Sequence, residues 1–341
     1  MQHKKNAWFI NFTGIGNGVI IAPILSCFEK SNPTTKYFHT ENQVLSNKWF
    51  TDKARLNNLI GFSPLAWRRF NEQDHERINS FIQENKIDLI VNVRNEGQKY
   101  DLGYYKFKDL HSANNELLFW DLNFSVIENR ISPTNLTADI IELIKENGID
   151  FSSYKPDWLN SVRNPNAKNK FGFGMAASQS NKRWSIKKWI QLGQMILEKK
   201  DRKIFLFAGN SPQEISEASE VFSSLGSDRC ILVSQKTIES VTEIIGGLEC
   251  FFSNDTGLLH ISVAVDTPTI GIYTSTNPNV WSPNDKRNFI SFENSFMKLC
   301  PDRKIHCGNC FHYYDVCPAI EKYGDDIIPE KVFEASTEFS T

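Results

Sequence analysis

The stretch Phe252-Ser253-Asn254-Asp255-Thr256-Gly257-Leu258-Leu259-His260-Ile261 carries the residue types for holding an anion. It reads as the end of a strand, a sharp polar turn and the start of a helix, with Pro268-Thr269-Ile270-Gly271-Ile272-Tyr273 as the next strand. Asp255 is placed to cap that helix. Backbone N–H groups at the helix start, with no side chain at Gly257, form a seat for a phosphate. A plain capped helix fits the same letters. A second cluster lies further on, where Cys300, Cys307, Cys310 and Cys317 follow the spacing C-x6-C-x2-C-x6-C, four of the seven cysteines of the chain. Four thiolates suit a closed tetrahedral site for structural zinc or iron, with His306 and His312 able to replace a thiol. Free thiols in a reduced pocket, or disulfides formed on purification, remain the alternatives.

These residues need a scaffold, and the chain alternates strands with helices throughout. Strands are expected at Ala7–Asn11, Asp88–Val93, Phe171–Met175, Ile204–Gly209, Cys230–Val233, Cys250–Phe252 and Pro268–Tyr273. Buried or one-faced helices are expected at Val19–Phe28 and Ala138–Lys145, and after Ser185, which reads as an N-cap. A last helix is expected over Glu330–Phe339. Such alternation predicts an α/β fold with parallel sheets covered on both faces. Between Gly148 and Lys170 the periodicity fades into a polar passage rich in Pro and Asn. The expected division is therefore 1–155, a linker at 156–170, a second domain at 171–328 holding the 300–317 cysteine segment, and a terminal helix at 329–341. Two such domains in tandem predict a ligand cleft at their interface.

Composition narrows the function classes. At 341 residues, 23% charged and 40% hydrophobic, the chain has the make-up of a soluble two-domain protein. A net charge of −2 argues against nucleic acid as a bulk electrostatic partner. The longest apolar run, Gly18 to Leu25, is broken by Pro23 and is too short to cross a membrane. The start Met1-Gln2-His3-Lys4-Lys5 runs straight into a strand with no apolar signal region, so the expected location is cytoplasmic, with peripheral membrane contact at most. Reduced cysteines follow from that location.

Several segments in order carry a resemblance. They are Gly14-Ile15-Gly16-Asn17-Gly18 with Pro23; Ala176-Ala177-Ser178-Gln179-Ser180-Asn181-Lys182-Arg183-Trp184; Phe207-Ala208-Gly209-Asn210-Ser211-Pro212-Gln213-Glu214; and Asn254-Asp255-Thr256-Gly257 with His260, Pro268 and Tyr273-Thr274-Ser275-Thr276-Asn277-Pro278. The ordered set resembles the heptosyltransferases of glycosyltransferase family nine, from about Phe9 to Phe333. The resemblance implies a GT-B architecture, two Rossmann-like domains facing across a cleft. It also implies inverting transfer with no catalytic metal or other cofactor, of heptose from ADP-heptose to a lipopolysaccharide-type acceptor at the inner face of the inner membrane. The acceptor would bind mainly to the N-terminal domain and the nucleotide-sugar to the C-terminal one. A different sugar donor, or a protein acceptor, would use the same fold.

Carried over residue by residue, the resemblance implies donor roles for Ser178, Ser180 and Lys182, whose hydroxyls and ammonium suit a diphosphate. Thr256, Gly257 and Leu258 would offer backbone N–H groups. Asp255 would accept hydrogen bonds from sugar hydroxyls, while Thr276 and Asn277, placed after the last strand, would close the pocket. Gly209 and Glu214 match the nucleotide side, a role shared with an ordinary strand-end turn. His260 reads either as a phosphate contact or as a buried histidine. On the acceptor side stand Gly16, Asn17 and Gly18, with Arg68, Arg69 and Arg94 suited to bidentate anion recognition or to plain solvated charge. One departure is important. Where the family carries an aspartate regarded as the catalytic base, this chain has Asn17, and an amide takes no proton at neutral pH. Either another group serves as base, with Glu96, Asp101, His111 and Asp121 among the candidates in the N-terminal half, or the acceptor is activated differently, or the chain is a silent homologue that binds nucleotide-sugar or glycan as an accessory subunit. The terminal helix is expected to pack back onto the N-terminal domain, as GT-B folds often have it.

Overall fold

A computed structural model describes residues 6–10, 14–63, 72–93, 117–122, 135–177, 179–226, 228–285, 287–295 and 325–340. The chain divides into two compact units, the first ending at Lys155 and the second running from Pro156, with 131–135 also belonging to the second.

The first unit is built on a parallel sheet of β1 (Asn6–Ile10), β2 (Lys36–Thr40), β3 (Leu59–Ser63), β4 (Leu89–Asn92) and β5 (Leu118–Asp121), in the order β3-β2-β1-β4-β5. With it go α1 (Ile15–Ser31), α2 (Lys48–Ala54), α3 (Glu72–Glu84) and α4 (Leu136–Glu146). The central strand β1 is apolar without alternation because helices cover both faces of the sheet. On one face Trp8 and Ile10 join Phe38, Ile78, Phe81 and Ile90. On the other, Phe9 meets Phe28 of α1 edge to face, with ring centroids 4.9 Å apart.

The strands β2, β3 and β5 have no counterpart among the expected elements. In β2 the letters Lys-Tyr-Phe-His-Thr obscure a segment that is buried from Tyr37 onward. His39 is buried there, bonding the Thr40 carbonyl through Nδ1 at 2.7 Å, and burial lowers its pKa. Tyr37 donates to Glu29 Oε2 at 2.6 Å, and that carboxylate also accepts from the Asn57 N–H.

The second unit has six parallel strands, β6 (Lys170–Gly174), β7 (Lys203–Phe207), β8 (Cys230–Val233), β9 (Cys250–Asn254), β10 (Thr269–Tyr273) and β11 (Phe289–Glu293). Their order is β11-β10-β9-β6-β7-β8. The helices are α5 (Ile186–Leu197), α6 (Pro212–Leu225), α7 (Ile238–Gly246), α8 (Gly257–Val265), α9 (Pro278–Trp281) and α10 (Pro329–Thr337). In β6 the alternation Phe-Gly-Phe-Gly points Phe171 and Phe173 into a core with Trp184, Trp189 and Ile196. The glycines face Phe251, and a Cβ at Gly172 or Gly174 would come within 2.6 or 2.8 Å of its ring. Both domains are thus α/β with parallel sheets, and the strand orders are those of doubly wound folds.

Three expectations about connections are corrected. Residues 156–170 are fastened to the second unit and are no free linker. Leu159 is fully buried, its N–H bonding Ala264 O at 2.9 Å, and Arg163 Nη1 donates to Gly246 O and Leu248 O. The terminal helix α10 buries Val332 and Ala335 in the core of the second unit beside α5, so that is where its apolar face is used. Arg202 is sandwiched between Phe171 and Phe333. Strand β11 follows Thr276 and Asn277, which therefore do not follow the last strand.

The first unit also settles the shape of the glycine segment. Gly14 is the N-cap position and α1 begins at Ile15, so Gly16, Asn17 and Gly18 form the first helical turn where a loop was expected. Asn42, buried, donates to Gly14 O at 2.9 Å and accepts from the N–H groups of Val44 and Leu45 at 2.9 and 3.3 Å. A Cβ on Gly18 would overlap the Asn42 side chain and come within 2.7 Å of Val44 Cβ. Gly18→Ala is expected to destabilise the protein by about 1–3 kcal/mol. Asn42→Ala should cost a similar amount, about 1–3 kcal/mol, by orphaning the N–H groups of Val44 and Leu45 and removing one of the two donors to Gly14 O. Urea unfolding midpoints check both, and an unshifted midpoint for Asn42→Ala would remove the role given to that clasp.

Candidate active site

In a sheet whose strands are all parallel, every loop at a strand's C-terminal end lies on one edge. In the second unit the chain leaves β6 for β7 on one side and leaves β9 for β10 on the other, so a crevice opens between the ends of the adjacent strands β6 and β9. The loop after β6 carries Ser180 and Lys182 in a short 3-10 turn, Ser180–Lys182. The turn after β9 carries Asp255 and Thr256, and the turn after β10 carries Thr274 to Asn277.

These turns converge on Asp255. Lys182 Nζ lies 3.1 Å from Asp255 Oδ2, and Thr276 Oγ1 donates to the same oxygen at 2.7 Å. The side chains are only 15% and 7% exposed, so water screens the pair weakly. Asp255 is therefore not the helix cap. Thr256 holds the N-cap position of α8, without a side-chain cap bond, because the Asp255 carboxylate turns back to the lysine and Thr276. Gly257 and Leu258 form the first helical turn and are half-buried, their N–H groups among those that a helix leaves without an internal acceptor. Ser185 also holds an N-cap position, at α5, with no side-chain cap bond.

His260 sits one turn into α8 and is buried. Burial pushes its imidazole pKa down to about 4, with Lys182 adding to the shift and Asp255 opposing it. The ring is neutral at neutral pH, so a cationic contact with phosphate is not available to it. Tyr273, at the end of β10, is fully buried with its hydroxyl unpartnered among the described residues. Burial, then the nearby Asp255 charge, raises its pKa well above the usual phenol range.

Other expected site residues also make local bonds. Asn277 caps α9, its Oδ1 accepting from Asn279 N at 3.0 Å, and is fully buried. Glu214 forms a capping box with Ser211 at the start of α6, with Ser211 Oγ donating to it at 2.8 Å, and its carboxylate lies against Gly209. Gly16 and Asn17 are half-buried in α1, while Gly18 is buried against Asn42. Ser178, Arg68, Arg69, Arg94, Glu96, Asp101, His111 and the four cysteines lie outside the described residues. Among the described residues, no group of three or more His, Cys, Asp or Glu could hold a metal ion. Asp121 ends β5, paired with Asn92. Cys27, Cys230 and Cys250 are free and buried.

The sequence reading missed the residues that hold the Lys182 loop. Asn254 Oδ1 accepts from Trp184 N at 3.1 Å and its Nδ2 donates to Met175 O at 2.6 Å. Thr274 Oγ1 donates to Asn181 O at 2.6 Å, and Arg183 binds Ala177 O and Glu217. Asn254 and Thr274 stand inside the motifs already singled out, but nothing in their spacing tells which backbone groups they reach.

The neutral His260 has a consequence for acid stability. Between pH 6.5 and about 4 the unfolded chain takes up a proton at this imidazole that the folded chain refuses, so stability falls as pH drops through that window. Its share is at most about 3 kcal/mol. His260→Gln should flatten the pH dependence of the urea midpoint between pH 7 and 4.5. An unchanged slope would show that the imidazole titrates normally.

Comparisons with known proteins agree with this architecture. The family description "Glycosyltransferase family 9 (heptosyltransferase)" matches residues 135–307, half of the chain. Lipooligosaccharide heptosyltransferase 2 of Campylobacter jejuni is 24% identical over 255 residues, covering 72% of this chain and 69% of that protein. The Haemophilus ducreyi protein of the same name is 30% identical over 113 residues, a stretch spanning 32% of each chain. Among solved structures, Escherichia coli heptosyltransferase WaaC with ADP superposes with a TM-score of 0.64 at 15% identity, covering 98% of this chain and 99% of that one. Escherichia coli ADP-heptose lipopolysaccharide heptosyltransferase II gives 0.62 at 13% identity, with 98% of each chain covered. Those solved neighbours are GT-B enzymes, and the chain shares their two-sheet α/β fold. With its motifs in the family's order and half its length matched, this chain belongs to glycosyltransferase family 9, the heptosyltransferases.

Proposed function

We propose that this glycosyltransferase moves heptose from ADP-heptose to a hydroxyl of a glycan or lipopolysaccharide-type acceptor, with inversion and without a catalytic metal. The observation that carries the reading is the Lys182–Asp255 pair at the N-terminus of α8, on the edge where open parallel sheets bind ligands. The acceptor oxygen attacks the anomeric carbon, the bond from that carbon to the diphosphate breaks, and ADP leaves with the electron pair. Negative charge grows on the leaving diphosphate. Lys182, which has three N–H donors, and the first-turn N–H groups at Gly257 and Leu258 supply the opposing positive charge. Both described bonds of Asp255 fall on Oδ2, which leaves Oδ1 to accept from a sugar hydroxyl. Ser180 stands in the same turn as Lys182 and adds a hydroxyl donor. The superposed Escherichia coli heptosyltransferase WaaC, solved with ADP and with ADP-2-deoxy-2-fluoro heptose, supports the donor class.

The acceptor proton needs a base, and Asn17 in the first turn of α1 is not one. The reading therefore places the base elsewhere in the first unit. A silent accessory homologue is the second reading, favoured by Asn17 alone. A lipid-linked acceptor would hold the enzyme peripherally at the cytoplasmic face of the inner membrane, and among the described residues no helix is long and apolar enough to cross it. The C-x6-C-x2-C-x6-C set at Cys300, Cys307, Cys310 and Cys317 supports a structural zinc or iron site apart from the chemistry.

Each part has a measurement. Incubation with a panel of nucleotide-sugars should raise the melting temperature most with ADP-heptose; equal or no shifts would defeat the donor assignment. Lys182→Ala and Asp255→Ala should each raise the barrier to transfer by about 2–4 kcal/mol. Unchanged turnover in both would end the donor-site reading. Asn17→Asp should change turnover little, whereas a gain of about 10²–10⁴-fold would favour the silent homologue. Elemental analysis of protein purified without chelators should find about one zinc or iron per chain; four reactive native thiols and no metal would sink that site.

A further inference from the structure

The loop that bears Lys182 has bonds of its own, from Lys182 N to Gln179 O, Arg183 N to Ser180 O and Arg183 Nε to Ala177 O, and is also held from outside. Its backbone is fastened at three points by side chains from the ends of neighbouring strands. Asn254, the last residue of β9, grips both ends of the loop, accepting from Trp184 N at 3.1 Å and donating to Met175 O at 2.6 Å. Thr274, just beyond β10, donates to Asn181 O at 2.6 Å, one residue before the lysine. Thr274 is itself held, since Asn294 Nδ2 donates to its carbonyl at 2.8 Å, and Asn294 Oδ1 accepts from Asp326 N at 2.9 Å. Asn254, Thr274 and Asn294 are all buried. Buried amides and hydroxyls that are fully engaged fix a geometry, because any shift leaves polar groups without water or partners.

We infer that Thr274 and Asn254 are positioning residues, which hold the Ser180–Lys182 turn so that the ammonium stands beside Asp255 before a donor arrives. Asn254 acts on both members of the pair, since its side chain fixes the loop of Lys182 and its backbone leads directly into Asp255. Thr274 acts on Lys182 through the carbonyl of Asn181. Neither touches the reacting atoms. Their effect is preorganisation, which matters where a cation must meet charge that develops only in the transition state. The inference rests on the donor-site reading of Lys182.

Thr274→Val removes one hydroxyl at nearly constant volume. With ADP release from ADP-heptose as the readout, kcat should fall about ten- to a hundredfold, as expected when a catalytic group is displaced by about 1 Å. The donor KM should change much less, and Thr274→Ser, which keeps the hydroxyl, should restore kcat. Placed on Lys182→Ala, the valine should bring no further loss, because the group it positions is already gone. Full kcat in Thr274→Val with only a lowered melting temperature would overturn the inference, as would a loss that multiplies in full with that of Lys182→Ala. Should the valine variant fail to fold, Thr274→Cys, a weaker donor, goes through the same cycle. If Lys182→Ala itself leaves turnover intact, the donor-site reading falls together with this one. A crippled Lys182→Ala with an independent Thr274 effect defeats the positioning role alone.

Discussion

Parallel alignment of the six strands in the second unit is the constraint on which its chemistry depends. Strands that all point one way deliver all their outgoing loops to one edge, and the reversal of winding between β6 and β9 leaves a gap there. The loops that contribute Lys182, Asp255 and Thr276 are far apart in the chain, yet they meet because β6, β9 and β10 are neighbours in register. The sheet in turn depends on small and large residues alternating in β6, which let Phe251 lie against Gly172 and Gly174.

Burial then sets the electrostatics of that edge. A lysine and a carboxylate held together with little water form a strong local dipole, and losing either one would strand the other in a poorly solvated place. The same dryness keeps His260 neutral and Tyr273 protonated. Lys182 and the N-terminus of α8 thus contribute positive charge on this edge, while the neutral histidine adds none. An incoming diphosphate would meet donors already aimed by hydrogen bonds from three strand ends.

The first unit uses a different device at the matching place. The start of α1 carries glycine at position 18 so that Asn42 and Val44 can approach it closely, and the Asn42 side chain ties that start to the segment after β2. Asn17 belongs to the first turn of α1. Its amide cannot take up a proton at neutral pH, so position 17 cannot act as a general base.

Much of the scaffold was legible in the letters. Strands β1, β4, β6, β7, β9 and β10 are largely buried and so appear as apolar runs, the edge strand β8 is an apolar run although Ile231 is exposed, and helices α4 and α5 show one-sided spacing. The strands β2, β3, β5 and β11 were not legible. Lys36 and the buried polar residues His39 and Thr40 in β2, and Gly61 in β3, break the apolar signal, since a buried polar side chain held by hydrogen bonds reads as solvent-facing in the letters. The letters alone were enough for the α/β class, the family and the residue types at this edge of the second sheet. Tertiary structure alone decided what those residues touch. Asp255 could have capped its own helix and instead pairs with a lysine 73 residues away, and Asn254 could have been a turn residue and instead holds that lysine's loop. Local spacing states where a side chain stands along its element. Which distant backbone group satisfies a buried polar atom is settled only when the strands pack and water is excluded.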